Sequence, residues 1–366
     1  MASKIFRGDM PELMEQILNN LDEEICTLYS CVLVSRHWCM VSIPILWRDP
    51  FTLSRNSMFI TRYFTSLKED DRFILNEYEI DIDFSNNLFH YAIFLKVLDL
   101  TTLDDKVQDW IDDNLPTDFD LLKYRMANLL IKLFIESGAT LSKSDLVMSN
   151  EVIGINPEIF YLLGQNKCFF LRIQDLSVSV ESKSCIESAI ALLKILASHA
   201  TKIITLTFDA YIYDSLLYHT FTCVIKSQEQ LRHFELFGNL ALRLKFYHMI
   251  SALQYQKRTL KEVSINSSTC NADFEALKNC ENLEVIRISY CEEVERLLKI
   301  LGTNLYKINT LEIYSYTIDA LNIIQILKKS SSSLQRLKLY SEREEIDSLP
   351  LFILLSKYHI SLHFKN

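Results

Sequence analysis

Residues 260–265 read LKEVSI, residues 283–288 LEVIRI, residues 308–313 INTLEI and residues 334–339 LQRLKL. In each, the first, fourth and sixth positions are apolar. The fourth and sixth lie two apart, so in an extended chain they share one face while the residue between them turns to the other. The same frame extends backwards through LRHFEL (231–236), TKIITL (201–206), CFFLRI (168–173), a degenerate LSKSDL (141–146) and LKVLDL (95–100), and forwards to KYHISL (357–362). Between the fourth positions from Leu171 onward the steps are 33, 30, 29, 23, 25, 26 and 23 residues. Helical spacing fills the intervals, as over 186–196, 240–253, 291–301 and 318–327. One strand and one helix cannot bury such a face alone, whereas stacked neighbours make a continuous core. The expected fold class is α/β: a solenoid with a curved parallel sheet and outer helices.

The period and the L-x-x-L-x-L core resemble leucine-rich repeats, with 141–366 as the solenoid and 51–140 as a connector with irregular first repeats. In such a solenoid the residues between the buried positions line the concave face. The expected inner column is Arg172, Thr205, Glu235, Ser264, Arg287, Glu312, Lys338 and Ser361. Beside it run Gln174, Thr207, Phe237, Asn266, Ser289, Tyr314, Tyr340 and His363, with Tyr290 just beyond. Neighbouring strands lie about 4.8 Å apart, so Arg287, Glu312 and Lys338 form a ladder of alternating charge. Either the three compensate one another or they read a protein substrate. Phe237, Tyr290, Tyr314 and Tyr340 are the expected aromatic anchors, since such residues dominate interface energetics.

The opening stretch, MPELMEQILNNLDEEICTLYSCVLVSRHWCMVSIPILWRDP (10–50), has a different period. Leu13, Met14, Ile17, Leu18 and Leu21 recur at three and four, which is one helical face. Pro11 suits a first turn and Asp9 a cap. Asp22, Glu23 and Glu24 suit the start of a second helix, whose buried face holds Leu28, Cys31 and Val34. Ser35 caps a third helix with Trp38 and Val41, and Leu46-Trp47 closes the group. Three short helices cannot bury so many large apolar side chains, which implies that a partner covers part of the surface.

This stretch resembles an F-box through Pro11-Glu12-Leu13, Ile17-Leu18, Leu21, Leu28, Val34-Ser35-Arg36-His37-Trp38 and Leu46-Trp47. The resemblance covers residues 1–50 as a small three-helix domain. Its first helix is one residue short and its first loop two residues long for the family. It implies docking on a Skp-type linker protein carried by a cullin scaffold, with those residues as the contact set. The leucine-rich repeats after it resemble those of one F-box subgroup. The resemblance as a whole implies a substrate adaptor of an SCF-type ubiquitin ligase. The alternative is a non-catalytic scaffold or regulator whose N-terminal helices only cap the solenoid.

Bulk properties fit. The 366 residues include 49% hydrophobic and 23% charged, with six Gly and six Pro, so long flexible linkers are not expected. The net charge of −9 argues against nucleic acid, whose phosphates call for a basic excess. The nine cysteines show no C-x-x-C pair. Neither a leader nor an uncharged run of membrane length is read. The expected setting is therefore soluble and reducing, cytoplasmic or nuclear.

No chemistry is legible. The six glycines, at 8, 138, 154, 164, 238 and 302, are too far apart for G-x-G-x-x-G, a P-loop or G-x-S-x-G. Asp81 and Asp83 share a face of an expected strand over 78–84 but lack a third ligand. His359 and His363 fall in an expected strand, too far apart for one metal. No catalytic residue, metal or cofactor is expected. The acidic stretch 104–120 either offers Trp110 to a partner or packs it inward.

Overall fold

The structure, a computed structural model, describes residues 11–21, 24–54, 56–84, 88–115, 120–150, 152, 154–238, 248–301, 308–315 and 334–341. Asp9, Asp22, Glu23, the helix expected over 318–327 and the repeat at 357–362, with Ser361, His359 and His363, lie outside them. The chain divides into two compact units. One holds residues 1–146 and 151–172, the other 147–150 and 173–366. The boundaries expected at 50 and 140 both fall inside the first.

Among the described residues, nine strands form one sheet in chain order: β1 (Val97–Asp99), β2 (Lys143–Met148), β3 (Asp175–Val180), β4 (Thr205–Ala210), β5 (His233–Gly238), β6 (Glu262–Asn266), β7 (Val285–Ser289), β8 (Thr310–Ser315) and β9 (Arg336–Ser341). The strands are parallel. The fold is thus mixed α/β, a repeating strand–helix arrangement with helices along the outer side.

The first unit begins with α1 (Pro11–Asn19), α2 (Ile25–Val32) and α3 (Arg36–Leu46). Short helices α4 (Pro50–Leu53), α5 (Phe59–Phe64) and α6 (Phe73–Glu77) follow, then α7 (Leu100–Asn114), α8 (Asp120–Glu136) and α9 (Pro157–Gln165). The second unit carries α10 (Ile186–His199), α11 (Ser215–Lys226), α12 (Met249–Ala252) and α13 (Val294–Leu301). A 3₁₀ segment over Ala272–Asn279 stands where a longer helix would otherwise cross back.

One backbone device recurs along the array. The carbonyl of the residue after the first apolar position accepts two N–H groups from the next strand's entry. Lys261 O takes Glu284 N at 2.8 Å and Val285 N at 3.0 Å; Glu284 O takes Asn309 N and Thr310 N; Asn309 O takes Gln335 N and Arg336 N. The same holds for Lys96, Gln174, Ile204 and Arg232. It holds also for Arg48, whose carbonyl accepts Lys96 N at 2.9 Å and Val97 N at 3.0 Å. Trp47 therefore occupies the place of a first motif leucine, and the opening helices run directly into the repeating pattern.

This device corrects two of the expected frames. The strand read at Cys168–Ile173 is a run of turns with Phe169 and Phe170 buried; β3 begins at Asp175, and its triplet is Ile173, Leu176 and Val178. The next triplet is Ile203, Leu206 and Phe208, two residues later than read. The corrected columns place Thr207, not Thr205, beside Glu235, and Thr205 beside His233. Arg172 and Gln174 precede the sheet altogether. From β5 onward the expected frame is the observed one.

The strand expected over 78–84 does not form. Glu79 adopts φ +55 at a turn after α6, and residues 80–84 run without a strand partner. Trp110 packs inward. Its Nε1 donates to Thr61 Oγ1 at 2.9 Å and its ring meets Phe64 edge-on at 5.1 Å. Asp104, in the same acidic helix, is buried against Lys123 at 2.6 Å. Helix α8 ends as its sequence dictates. Gly138 takes φ +77, a left-handed turn that glycine enters without penalty, and its N–H and that of Ala139 cap Ile135 O and Phe134 O.

Buried glutamines tie the helical layer to the strand entries. Gln228 Oε1 accepts Ile203 N at 3.0 Å while its Nε2 donates to Ala200 O and Val224 O. Gln256, in the next repeat, donates to Ile225 O and Gln228 O. Loop carbonyls that would be costly to bury bare are thereby satisfied.

Candidate functional site

Two surfaces merit attention, and each follows from how its elements close. In the helical module, Met14, Leu18, Leu28, Cys31, Ile45 and Leu46 pack on one another, with Leu21, Ile25, Val32, Trp38, Val41 and Trp47 around them. Ser35 caps α3 as expected, its Oγ accepting Trp38 N at 3.3 Å. Glu24 stands at the cap of α2 and accepts from Thr27 Oγ1 at 3.0 Å, without capping the backbone.

The expected contact set is thus split by burial. Leu18 (1% exposed), Leu28 and Leu46 form the module's own core. Leu13 and Leu21 are half-buried, and Trp38 leans on that core. Trp47 is half-buried, 4.1 Å from the Tyr91 ring and 5.0 Å from that of Tyr63. Glu12 and Ile17 face solvent and Pro11 opens α1; Val34, expected on the buried face of the second helix, instead lies beyond the end of α2 and is exposed. The exposed apolar residues include three that the sequence reading passed over: Tyr29, Leu33 (86% exposed) and Met40. Tyr29 and Leu33 are one helical turn apart, and Leu33 adjoins Val34. A signal for them existed: Leu33 and Val34 fall between the last turn of α2 and the Ser35 cap, where no helical face can turn them inward.

A cleft of about 670 Å³ opens beside this module, between Ile25, Cys26 and Tyr29 of α2 and Trp47, Pro50, Leu53 and Phe59.

The second surface is the outward column of the sheet. Strand register brings Arg287 beside Glu312 and Glu312 beside Lys338, so the expected charge ladder forms. Glu312 is its centre. Its side chain is only 9% exposed, and it meets Arg336 Nε at 3.1 Å, Lys338 Nζ at 3.3 Å and Arg287 Nε at 3.5 Å. Arg287 also pairs with Glu262, which in turn meets His233 Nδ1 at 3.3 Å. A chain of charges therefore crosses β5 to β9. Its members Arg336, Glu262 and His233 were missed because the expected columns began two positions too far along; counting back by two from Lys338 and Glu235 finds Arg336 and His233.

Tyr314 and Tyr340 lie in register, their rings 5.8 Å apart and tilted by 37°. Tyr290 adopts φ +53, and its N–H donates to Tyr314 O at 2.7 Å. Ser267, one repeat earlier, takes the same left-handed turn at φ +57. Phe237 sits apart from the tyrosines, half-buried between Asp209 and Asn266.

Beneath the strand exits, Cys270 and Cys291 are buried partners in adjacent repeats. The Cys291 thiol donates to Ser289 O at 3.4 Å and Ile265 O at 3.7 Å, and its closeness to Cys270, together with burial, raises the pKa of Cys270. Burial pushes the Cys280 thiol up to about 12. All nine cysteines are free.

Among the described residues, no three His, Cys, Asp or Glu side chains are placed to hold a metal ion, and no helix is long and apolar enough to cross a membrane. No protein-family model matches this chain, and no curated protein matches it significantly.

Proposed function

We propose that this chain is a non-enzymatic adaptor, with an F-box at its start and leucine-rich repeats after it. The helical module docks on a Skp-type linker of a cullin ubiquitin ligase, and the outward strand face receives a protein substrate. The observation that carries the reading is the leftover apolar surface of the module. Its core closes on itself, yet Ile17, Tyr29, Leu33, Val34 and Met40 stay in water. Large apolar groups left in water on so small a module are a reason to expect a partner. The mechanism is proximity: a substrate lysine held near a charged ubiquitin carrier reacts at a raised effective concentration.

The test uses the full chain and a purified Skp-type linker. Leu33→Asp with Val34→Asp alters exposed positions only, so the melting temperature should hold while association falls by tenfold or more, about 1.4 kcal/mol at the least. Unchanged association in a folded variant ends the reading. Leu18→Asp is unsuitable, because Leu18 lies in the module's core.

A second reading has its own support. Arg48 pairs with the entry of β1 as the repeats do, and Trp47 takes a motif leucine's place. The helices then serve as the cap of a non-catalytic leucine-rich-repeat scaffold. Under that reading the same double substitution changes no binding partner at all.

A further inference from the structure

We infer that the outward face of β7 to β9 is a docking site for a short acidic peptide segment, held by Arg287, Arg336 and Lys338 beside the Tyr314–Tyr340 pair. The inference names the substrate class for the strand face proposed above as the cargo surface.

The outward positions of the second unit's strands are not uniformly mixed in charge. From β3 to β6 they carry Asp175, Asp209, Glu235 and Glu262, with His233 and no lysine or arginine. From β7 to β9 they carry Arg287, Arg336 and Lys338, with Glu312 as the lone carboxylate. The face is therefore acidic at one end and basic at the other.

Depth sharpens this division. Glu312 is 9% exposed at its side chain, whereas Arg336 is 53%, Arg287 37% and Lys338 25% exposed. The carboxylate lies beneath its three cations and what water meets is positive. Glu312, together with Glu262 on Arg287, does not saturate them: an arginine has five N–H donors and a lysine three, so the planar fork of the exposed Arg336 can still donate to a further carboxylate. A ligand carboxylate fits above Glu312, with the cations between. The two tyrosine rings on the next column supply flat apolar area for the flanking residues.

The same geometry selects a short segment rather than a polyanion. A phosphate backbone crossing the face would leave three cations and meet four carboxylates, which opposes binding by neutralisation. Crossing β6 to β9 spans three strand spacings, about 14 Å, or roughly four extended residues. The favoured ligand has carboxylates over β7–β9 and neutral or basic residues toward β5 and β6.

The experiment uses the full chain and a fluorescein-labelled EEEEGSGSG peptide, read by fluorescence anisotropy at low salt. With a protein of net charge −9, nonspecific attraction works against this probe, so saturable binding reports a local site. Arg336→Ala with Lys338→Ala should weaken it about tenfold or more, and raising the salt to about 0.5 M should weaken it further by screening. Lys226→Ala, on α11, should leave it unchanged. If the double variant unfolds, Arg336→Ala alone decides, since its side chain is mostly in water; a loss of about threefold or more supports the site. No saturable binding, variants that bind within twofold of the parent, or an oligothymidylate competing as well as the peptide would overturn the inference. None of these outcomes involves the linker, so the adaptor reading stands or falls separately.

Discussion

The helical module and the strand array solve the burial problem in opposite ways. The module turns six buried side chains inward on each other and is left with an apolar remainder outside. The array buries nothing by itself in any one repeat: Val263 and Ile265 are covered only because Ile286, Ile288 and the adjoining helices lie next to them. What differs is where an interaction surface can arise. On the module it is whatever the core left over, hence apolar. On the array it is the alternate column that the pleat turns away from the core, hence polar, and set by register.

This contrast predicts a gradient of effects. The largest belongs to the array. Ile286→Asp places a charge in a fully buried site with no partner and should unfold the second unit outright, seen as loss of its cooperative transition in circular dichroism. Next comes Leu28→Ala in the module, which should cost about 2–5 kcal/mol. If the module folds with its own core, the loss is confined to its amides in hydrogen exchange; protection lost throughout β1 and β2 as well would mean that module and first repeats are one cooperative body.

Smaller effects address the outward surfaces. Glu312→Gln leaves three cations close together, but they remain partly in water, so the cost should be about 1–2 kcal/mol rather than that of a fully buried broken pair. A neutral result would show that the ladder adds specificity without stability. The smallest effect is a pH dependence. Cys280 ionises at about 12 when folded against 9.0 ordinarily, so it contributes fully below pH 9 and the contribution is lost above it, as the unfolded chain alone gives up the proton. Cys280→Ala should remove up to about 1.4 kcal/mol per pH unit of the parent's alkaline loss of stability, measured by denaturant titration of both proteins between pH 8 and about 10.5.

Much of the architecture was legible because alternation is local. Leu283, Ile286 and Ile288 announce a strand from their own spacing, and so do the triplets at 308–313 and 334–339. The ladder of Arg287, Glu312 and Lys338 follows once the strands are parallel and in step. Reading fails at Cys168–Ile173, where Leu171 and Ile173 mimic a triplet that belongs five residues later, at Ile173, Leu176 and Val178. Two overlapping frames are equally apolar there, and only the Gln174 carbonyl, bonded to Ile204 and Thr205, selects one. Among the helices, spacing gave the buried face of α1 at Met14 and Leu18. It could not say that Met40 would be stranded outside.

Sequence alone determined that strands of this chain would bury alternate residues and that successive repeats would share one core, because side-chain direction along an extended backbone needs no distant information. Tertiary structure alone decided the frame of β3 and β4, the seat of Trp47 among aromatic rings and the depth of Glu312 under its three cations. Those depend on which carbonyl a neighbouring strand offers and on what lies above a side chain, and neither is written in the residues nearby.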